Sequence, residues 1–319
     1  MSYQPMTLHE FATRFATQKA CIDAIIARRW PNGWSCPKCH GTRHYRLQTR
    51  RVLQCANPDC RAQTSVTRGT VFEQVKIPLP KVFLAIYLMI DKQGISAMSL
   101  AKHLDVAYTT AFDLLHKLRQ AMVDRDRQYT LRGVIQVDEG YVGGHGDGKH
   151  RPGRCTDTKR LIGVMAEQRG SNITGNIHIG VLPAADAESL HGMIIRKVES
   201  GSRLLTDDWR GYRGIEQFGY THDPIRSRGG RDACEQWPLV HRAISNFKAW
   251  LLGTHRNFCL QRMGAYAAEY SWRANRRNRT KAEYRGNLRE PTLADRLLTL
   301  ACQHCHQSTA EVRAMRWAA

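Results

Sequence analysis

The chain has 319 residues, enough for a sizeable core and more than one domain. Hydrophobic residues make up 42% of it, no apolar run approaches the ~20 residues of a membrane span, and the N-terminus MSYQPMTLHEFATRF lacks a basic-then-apolar signal pattern, so membrane and secreted classes are set aside and a cytoplasmic protein is expected. Lys and Arg number 48 against 28 Asp and Glu, a formal charge of +20 gathered in runs such as HYRLQTRR (44–51) and WRANRRNRTKAEYR (272–285), which points to a polyanionic partner, nucleic acid above all.

Residues 1–29 read as a helical lead-in. Residues 30–70 hold four of the ten cysteines, as Cys36-x2-Cys39 and Cys55-x4-Cys60 separated by fifteen residues. Turn formers (Pro37, Gly41, Asn57, Pro58) lie in or beside both pairs, the layout of two cysteine-bearing turns joined by short strands. Four thiolates close a tetrahedral Zn2+ site, and a closed site is structural. A zinc ribbon is therefore expected, with Arg43, His44, Arg46, Arg50 and Arg51 between the turns offering a surface for DNA phosphates. His40 is expected at the surface. The later pair Cys302 and Cys305, flanked by His304 and His306, has no partner pair and reads weakly as a metal site.

Residues 78–128 read as three helices. PKVFLAIYLMIDKQG is apolar along one face and ends at Gly94. Met98, Leu100 and Leu104 fit a short second helix, Asp105 to Thr109 a turn, and Thr109 or Thr110 a cap for a third helix with Phe112, Leu115, Leu118 and Met122 inward. Two short helices around a tight turn predict a helix-turn-helix, whose second helix can enter a major groove.

From residue 130 to 285 the pattern changes. Strands are predicted at VIQVDEGYV (134–142), RLIGVMAEQ (160–168) and NITGNIHIGVL (172–182), the last two as a hairpin around Gly170. A helix follows over 185–200, a fourth strand RLLTDD at 203–208, a long irregular loop, and a helix over LVHRAISNFKAWLLGTH (239–255). This is the element order of the ribonuclease-H-like α/β fold. It sets an acid from each of two adjacent strands, Asp138 and Asp207, near a residue of a later helix, with room for two divalent ions. A carboxylate inside a buried strand is costly without a partner or a metal, so Asp138 demands an explanation. On the last helix, Leu239, Ile244, Phe247, Leu251 and Leu252 are expected to face the core, while His241 and Lys248, seven residues apart, share one face. Alone, such a pair reads as solvated polar residues. The loop HGDGKHRPGRCTDTK (145–159) suits DNA contact better than nucleotide binding. Trp209 and Trp250 can stack on bases or simply pack. Residues 286–319 read as a C-terminal tail.

The motifs VDEGYVGG, LLTDDWRGYRGI, HRAISNFKAWLLGTH and YAAEYSWRANRR, in that order, resemble DDE-type transposases of bacterial insertion sequences. The ribbon CPKC…CANPDC and the segment GISAMSLAKHLDVAYTTAFDLLHKLRQAM resemble the same family's DNA-binding parts, and the likeness covers roughly residues 15–280. It implies Mg2+-dependent cutting at the element's ends and joining of the freed 3′-hydroxyls to target DNA. The partners it implies are double-stranded DNA, both terminal repeats and target, and further copies of the chain in the DNA complex. By position, Asp138 is the first acid and Asp207 the second. The family's third position is usually Glu with a basic residue seven places on. Here those positions hold His241 and Lys248, the latter then touching the DNA end. Imidazole is a poorer Mg2+ ligand than carboxylate, so Asn246, Glu235 and Glu269 stand as rivals. A nuclease that cuts without joining and a zinc-ribbon regulator with an inactive domain are the competing readings.

Overall fold

The computed structural model describes residues 6–47, 50–91, 93–143, 159–225, 237–256, 258–277, 292–303 and 308–314. The chain divides into two compact units, Met1–Ala121 with Gly286–Ala314, and Met122–Arg285 with Met315–Ala319. No described helix is long and apolar enough to cross a membrane.

The first unit opens with α1 (Leu8–Arg14) and α2 (Gln18–Arg29), capped by the side chains of Thr7 and Thr17. Strands β1 (His44–Leu47), β2 (Val52–Cys55) and β3 (Gln63–Ser65) form an antiparallel sheet in that order. The Arg29 guanidinium donates to the carbonyls of Ser65 and Val66, at 3.0 and 2.6 Å, and so ties α2 to the ribbon's end. Helices α3 (Leu79–Ile90), α4 (Ala97–Leu104) and α5 (Tyr108–Asp126) follow. Phe11, Phe15, Phe72 and Phe83 form a buried aromatic chain with neighbouring centroids 4.8–5.9 Å apart. The turn after α4 begins where the sequence reading put it, at Asp105, but is shorter than expected. Asp105 takes a left-handed conformation (φ 49°) that ends α4 at once. Helix α5 then begins at Tyr108, with the Ala111 N–H already bonded to the Ala107 carbonyl, so Thr109 and Thr110 lie inside the helix rather than capping it. Met98 is 55% exposed, whereas Leu100 and Leu104 are buried.

The second unit is a five-stranded mixed sheet, order β6-β5-β4-β7-β8, built from β4 (Val134–Gly143), β5 (Lys159–Gln168), β6 (Thr174–Leu182), β7 (Arg203–Asp207) and β8 (Thr221–Ile225). The first three strands pair antiparallel; β7 joins β4, and β8 joins β7, in parallel. Interior strand β5, between β6 and β4, is buried along most of its length, as its apolar run Leu161–Ala166 requires. Helix α6 (Ala187–Lys197) covers one face through Leu190, Met193 and Ile194. Helices α7 (Pro238–Thr254) and α8 (Met263–Arg277) cover the other. The segment after β7, read from sequence as an irregular loop, contains β8. That strand is short, at the sheet edge, and holds Pro224, which an edge tolerates because its missing N–H faces no neighbour. Leu252, expected inward, is 42% exposed, since the turn beside it already points Leu251 at the core.

The C-terminal segment is a further correction. Helix α9 (Leu293–Gln303) buries Leu297, Leu298, Ala301 and Cys302 within the first unit. Asp295 pairs with Arg28 at 2.8 Å, and the Ala301 carbonyl accepts the Val71 N–H at 3.1 Å. Its amphipathic run, not a tail, is what the sequence encodes there. A short α10 (Thr309–Ala314) follows.

Candidate active site and metal centre

The ribbon cysteines converge from two turns of matching geometry. In each, the first cysteine's N–H (Cys36, Cys55) donates to the carbonyl two residues past the second cysteine (Gly41, Ala62), at 2.9 Å both times. The residue after the second cysteine is left-handed in each, His40 at φ 59° and Arg61 at φ 44°. The sulfurs approach as Cys36–Cys60 at 3.7 Å and Cys39–Cys55 at 3.4 Å. Among the described residues these four are the one set of three or more His, Cys, Asp or Glu donors whose ligand atoms all lie within 4.8 Å of one another. The backbone N–H groups of Cys39 and Lys38 pull the Cys36 thiol down to about 6, against the cost of burying its charge. Four convergent soft donors fit Zn2+.

Of the basic residues between the turns, Arg43, His44 and Arg50 are exposed, as is Tyr45 at 65%. Two do not face solvent as expected. Arg46 pairs with Asp23, and Arg51 turns inward to donate to the Val75 carbonyl. Cys302 is buried, and burial pushes its thiol up to about 12, the state of a neutral core residue. Cys305, His304 and His306 lie outside the described residues, as do Glu235 and most of the 145–159 loop.

The second unit brings the sequence-predicted acids together. β4 and β7 are adjacent, and continuing their register by two residues sets Asp138 beside Asp207. Gln136, on the same face as Asp138, fixes the helix that overlies them. Its side-chain carbonyl accepts the N–H groups of Leu239 and Val240 at 3.0 and 3.2 Å, two of the donors that a helix start leaves unpaired. Pro238, whose missing N–H costs nothing there, is the first residue of that helix. Anchored so, α7 carries His241 to Asp138, Nδ1 to Oδ2 at 3.4 Å. Two turns later a Cβ built on Gly140 would lie 3.6 Å from Lys248 Nζ, so the ammonium rests over β4 just past the acids. Asn246 is exposed on α7, and Glu269 is fully buried in α8 against Arg273 at 3.4 Å. Arg276, further along the same helix, pairs with Asp126 at 3.4 Å.

Electrostatics mark the place. Asp138 is pushed up to about 6, first by burial and then by the charge of Asp207, while the Glu139 N–H and Lys248 oppose the shift. Asp207 is raised by burial and by Asp208, opposed by the Trp209 N–H and His241. Burial lowers His241, and the charge of Asp207 opposes that shift. One oxygen of each acid is held by a local N–H, from Glu139 to Asp138 at 2.8 Å and from Trp209 to Asp207 at 3.2 Å. Two half-buried carboxylates that repel each other make a site short of positive charge, and their hard oxygens suit Mg2+ better than the imidazole does. As a set, Asp138, Asp207 and His241 stand wider apart than the thiols.

Glu139 falls on a predicted strand, but neither it nor Tyr212 carries a sequence pattern that assigns it a part. Tyr212 is fully buried, and its hydroxyl donates to Glu139 Oε2 at 2.6 Å. The only sequence signal was two acids in a row, Asp138 and Glu139, which strand alternation must send to opposite faces.

Two family models match the chain: an ISXO2-like transposase domain over residues 130–275, and a transposase zinc-ribbon domain over residues 16–63. A protein described as uncharacterized, in transposable element ISH50 of Halobacterium salinarum, is 27% identical over 259 residues, covering 72% of this chain and 86% of that protein. Among solved structures, a pre-cleavage Mos1 transpososome aligns at 10% identity over 71% of this chain and 80% of its own, with a TM-score of 0.26. A Mos1 strand transfer complex aligns at 13% identity over 61% and 73%, with a TM-score of 0.25.

Proposed function

The chain carries an ISXO2-like transposase domain behind a transposase zinc ribbon, and on that premise we propose that it binds the ends of its element and catalyses Mg2+-dependent DNA cleavage and strand transfer. The observation that carries this reading is the convergence of Asp138, Asp207 and His241 from two adjacent strands and one helix. The sheet order and the helices on both faces support a ribonuclease-H-like catalytic domain over residues 130–285. Asp138 and Asp207 would hold the metal, with His241 in the third position. Bound divalent ions supply activation of the attacking oxygen and stabilisation of the leaving one.

The chain's own residues do the rest. Asp138 and Asp207, each steadied by an N–H, present negative charge from one side of the sheet. His241, facing Asp138 from α7, fixes that carboxylate's direction. Lys248 sets a positive charge where the phosphate of a DNA end would lie. On the first unit, α4 and α5 form the helix-turn-helix of residues 78–128. Lys102, His103, Tyr108 and Thr109 are exposed around its turn, where a groove-entering helix presents its first residues. The ribbon of residues 30–70, stiffened by Zn2+, adds Arg43, His44 and Arg50 against phosphates. Two DNA ends brought together require more than one copy of the chain.

The test is purified protein with a duplex carrying the element end, Mg2+ or Mn2+, and a target plasmid. Metal-dependent nicking at the end and joined product are expected, with end affinity falling steeply with salt as phosphate contacts release counterions. Cutting without joining would leave a nuclease, and binding without cutting a regulator. Within this reading His241→Ala should lower cleavage by ~10²-fold, the usual cost of losing one charge-stabilising group. His241→Glu should retain activity, because it restores an oxygen donor. Full activity of His241→Ala would remove His241 from the third position.

A further inference from the structure

The β4–β7 ladder pairs Val134 with Arg203, Ile135 with Leu204 and Gln136 with Leu205. Asp138 and Asp207 both sit two residues beyond its last pair, so no hydrogen bond of that ladder sets the distance between the acids. Yet two carboxylates at a shared cation must keep a fixed separation against their own repulsion.

The reverse face of the sheet holds a bond across the same gap. Glu139 follows Asp138 and, by alternation, points away from α7, so it cannot join the acids as a ligand. Tyr212 lies five residues after Asp207, in a single 3-10 turn. Its hydroxyl reaches Glu139 at 2.6 Å from a fully buried position. That turn is itself seated. Gly211 packs so closely that a Cβ there would lie 2.8 Å from Leu190 of α6 and 2.9 Å from Trp209 Nε1. The Trp209 indole N–H donates to the Ala185 carbonyl at 2.9 Å. Tyr212 is thus a stiff lever joining the chain after the second acid to the chain after the first. Burying a carboxylate and a phenol as a pair is no better for stability than burying two apolar residues. The polar pair makes sense as a device of position.

We propose that the Tyr212–Glu139 hydrogen bond is a brace that sets the spacing of the two acidic strands, so that Tyr212 and Glu139 are positioning residues of the metal site. The proposal rests on the reading of Asp138 and Asp207 as that site, and its test separates the two. Tyr212→Phe removes one buried oxygen and keeps the ring. Two quantities are measured on the full-length protein: backbone hydrogen exchange without metal, and Mn2+ binding followed by loss of the free-ion electron paramagnetic signal. In Tyr212→Phe, exchange should quicken at residues 137–141 and 207–212 and stay unchanged in the ribbon. Mn2+ should bind about 10-fold more weakly, the usual cost of losing a bond that orients a ligand. Glu139→Gln, which keeps a carbonyl acceptor for the phenol, should behave like wild type in both, whereas Glu139→Leu should match Tyr212→Phe. Adding Tyr212→Phe to Glu139→Leu should cost nothing further. Unchanged exchange at both segments in Tyr212→Phe would overturn the brace, as would faster exchange there with undiminished Mn2+ affinity. Failure of the wild type to bind Mn2+ would instead sink the metal-site reading and, with it, the purpose assigned to the bond.

Discussion

Asp207→Asn and Asp138→Asn should each reduce cleavage and joining at the element end by a factor of about 10³ or more, with end binding unchanged. Asn has the shape of Asp without its charge, and no water can supply a fixed anion in its place. The readout is single-turnover strand cleavage on an end-bearing duplex at saturating Mg2+. Retained activity in either variant would remove that residue from the site. The same substitutions carry an opposite expectation for stability. Burial and the charge of Asp207 raise Asp138 to about 6. Between about pH 4 and pH 6 the folded protein therefore binds more protons at this group than the unfolded chain does, and stability falls as pH rises through that window. Asp138→Asn, never charged, escapes the penalty, so the metal-free variant should melt at or above the wild-type temperature at pH 7. Added Mg2+ should stabilise the wild type increasingly from pH 5.5 to pH 7.5, as the cation replaces the lost protons, and should do little for the variant. A dead variant that also melts early would mean that Asp138 serves the fold rather than the reaction.

Cys36→Ser combined with Cys39→Ser should abolish zinc binding at the ribbon and unfold it. Three strands of four, four and three residues cannot bury enough surface to hold themselves. A structural Zn2+ contributes on the order of 10 kcal/mol in such modules. Elemental analysis should find about one zinc per wild-type chain, as one closed tetrahedral site requires, and none at this module in the variant. End affinity should fall along with it, since Arg43, His44 and Arg50 ride on those strands and turns. Full zinc content in the double variant would show that the thiols are not the ligands. Loss of zinc with undiminished end affinity would confine DNA binding to other parts of the chain.

Much of this was legible in residue order alone, where chemistry is written in local spacing. Two cysteine pairs with turn residues predicted the ribbon, and the thiols do converge. Alternation and apolar runs predicted β4 to β7 and α6 nearly to their ends. His241 and Lys248 were read as one face of a helix, and both lie at β4. The tertiary structure decided what depends on partners far away in the chain. In sequence Gln136 is one more strand residue; in the fold its amide caps α7, 103 residues on. Glu139 and Tyr212, 73 residues apart, carry no mutual signal in sequence because a single side-chain hydrogen bond has no period. Edge strand β8 was hidden by its proline and its polar residues. The helix α9 reads as a tail in sequence because the surface it buries against, around Arg28 and Val71, comes from the other end of the chain. Local periodicity reports which face of an element is apolar; only the folded chain shows which neighbour that face meets, and there the buried polar groups find the partners that fix the site.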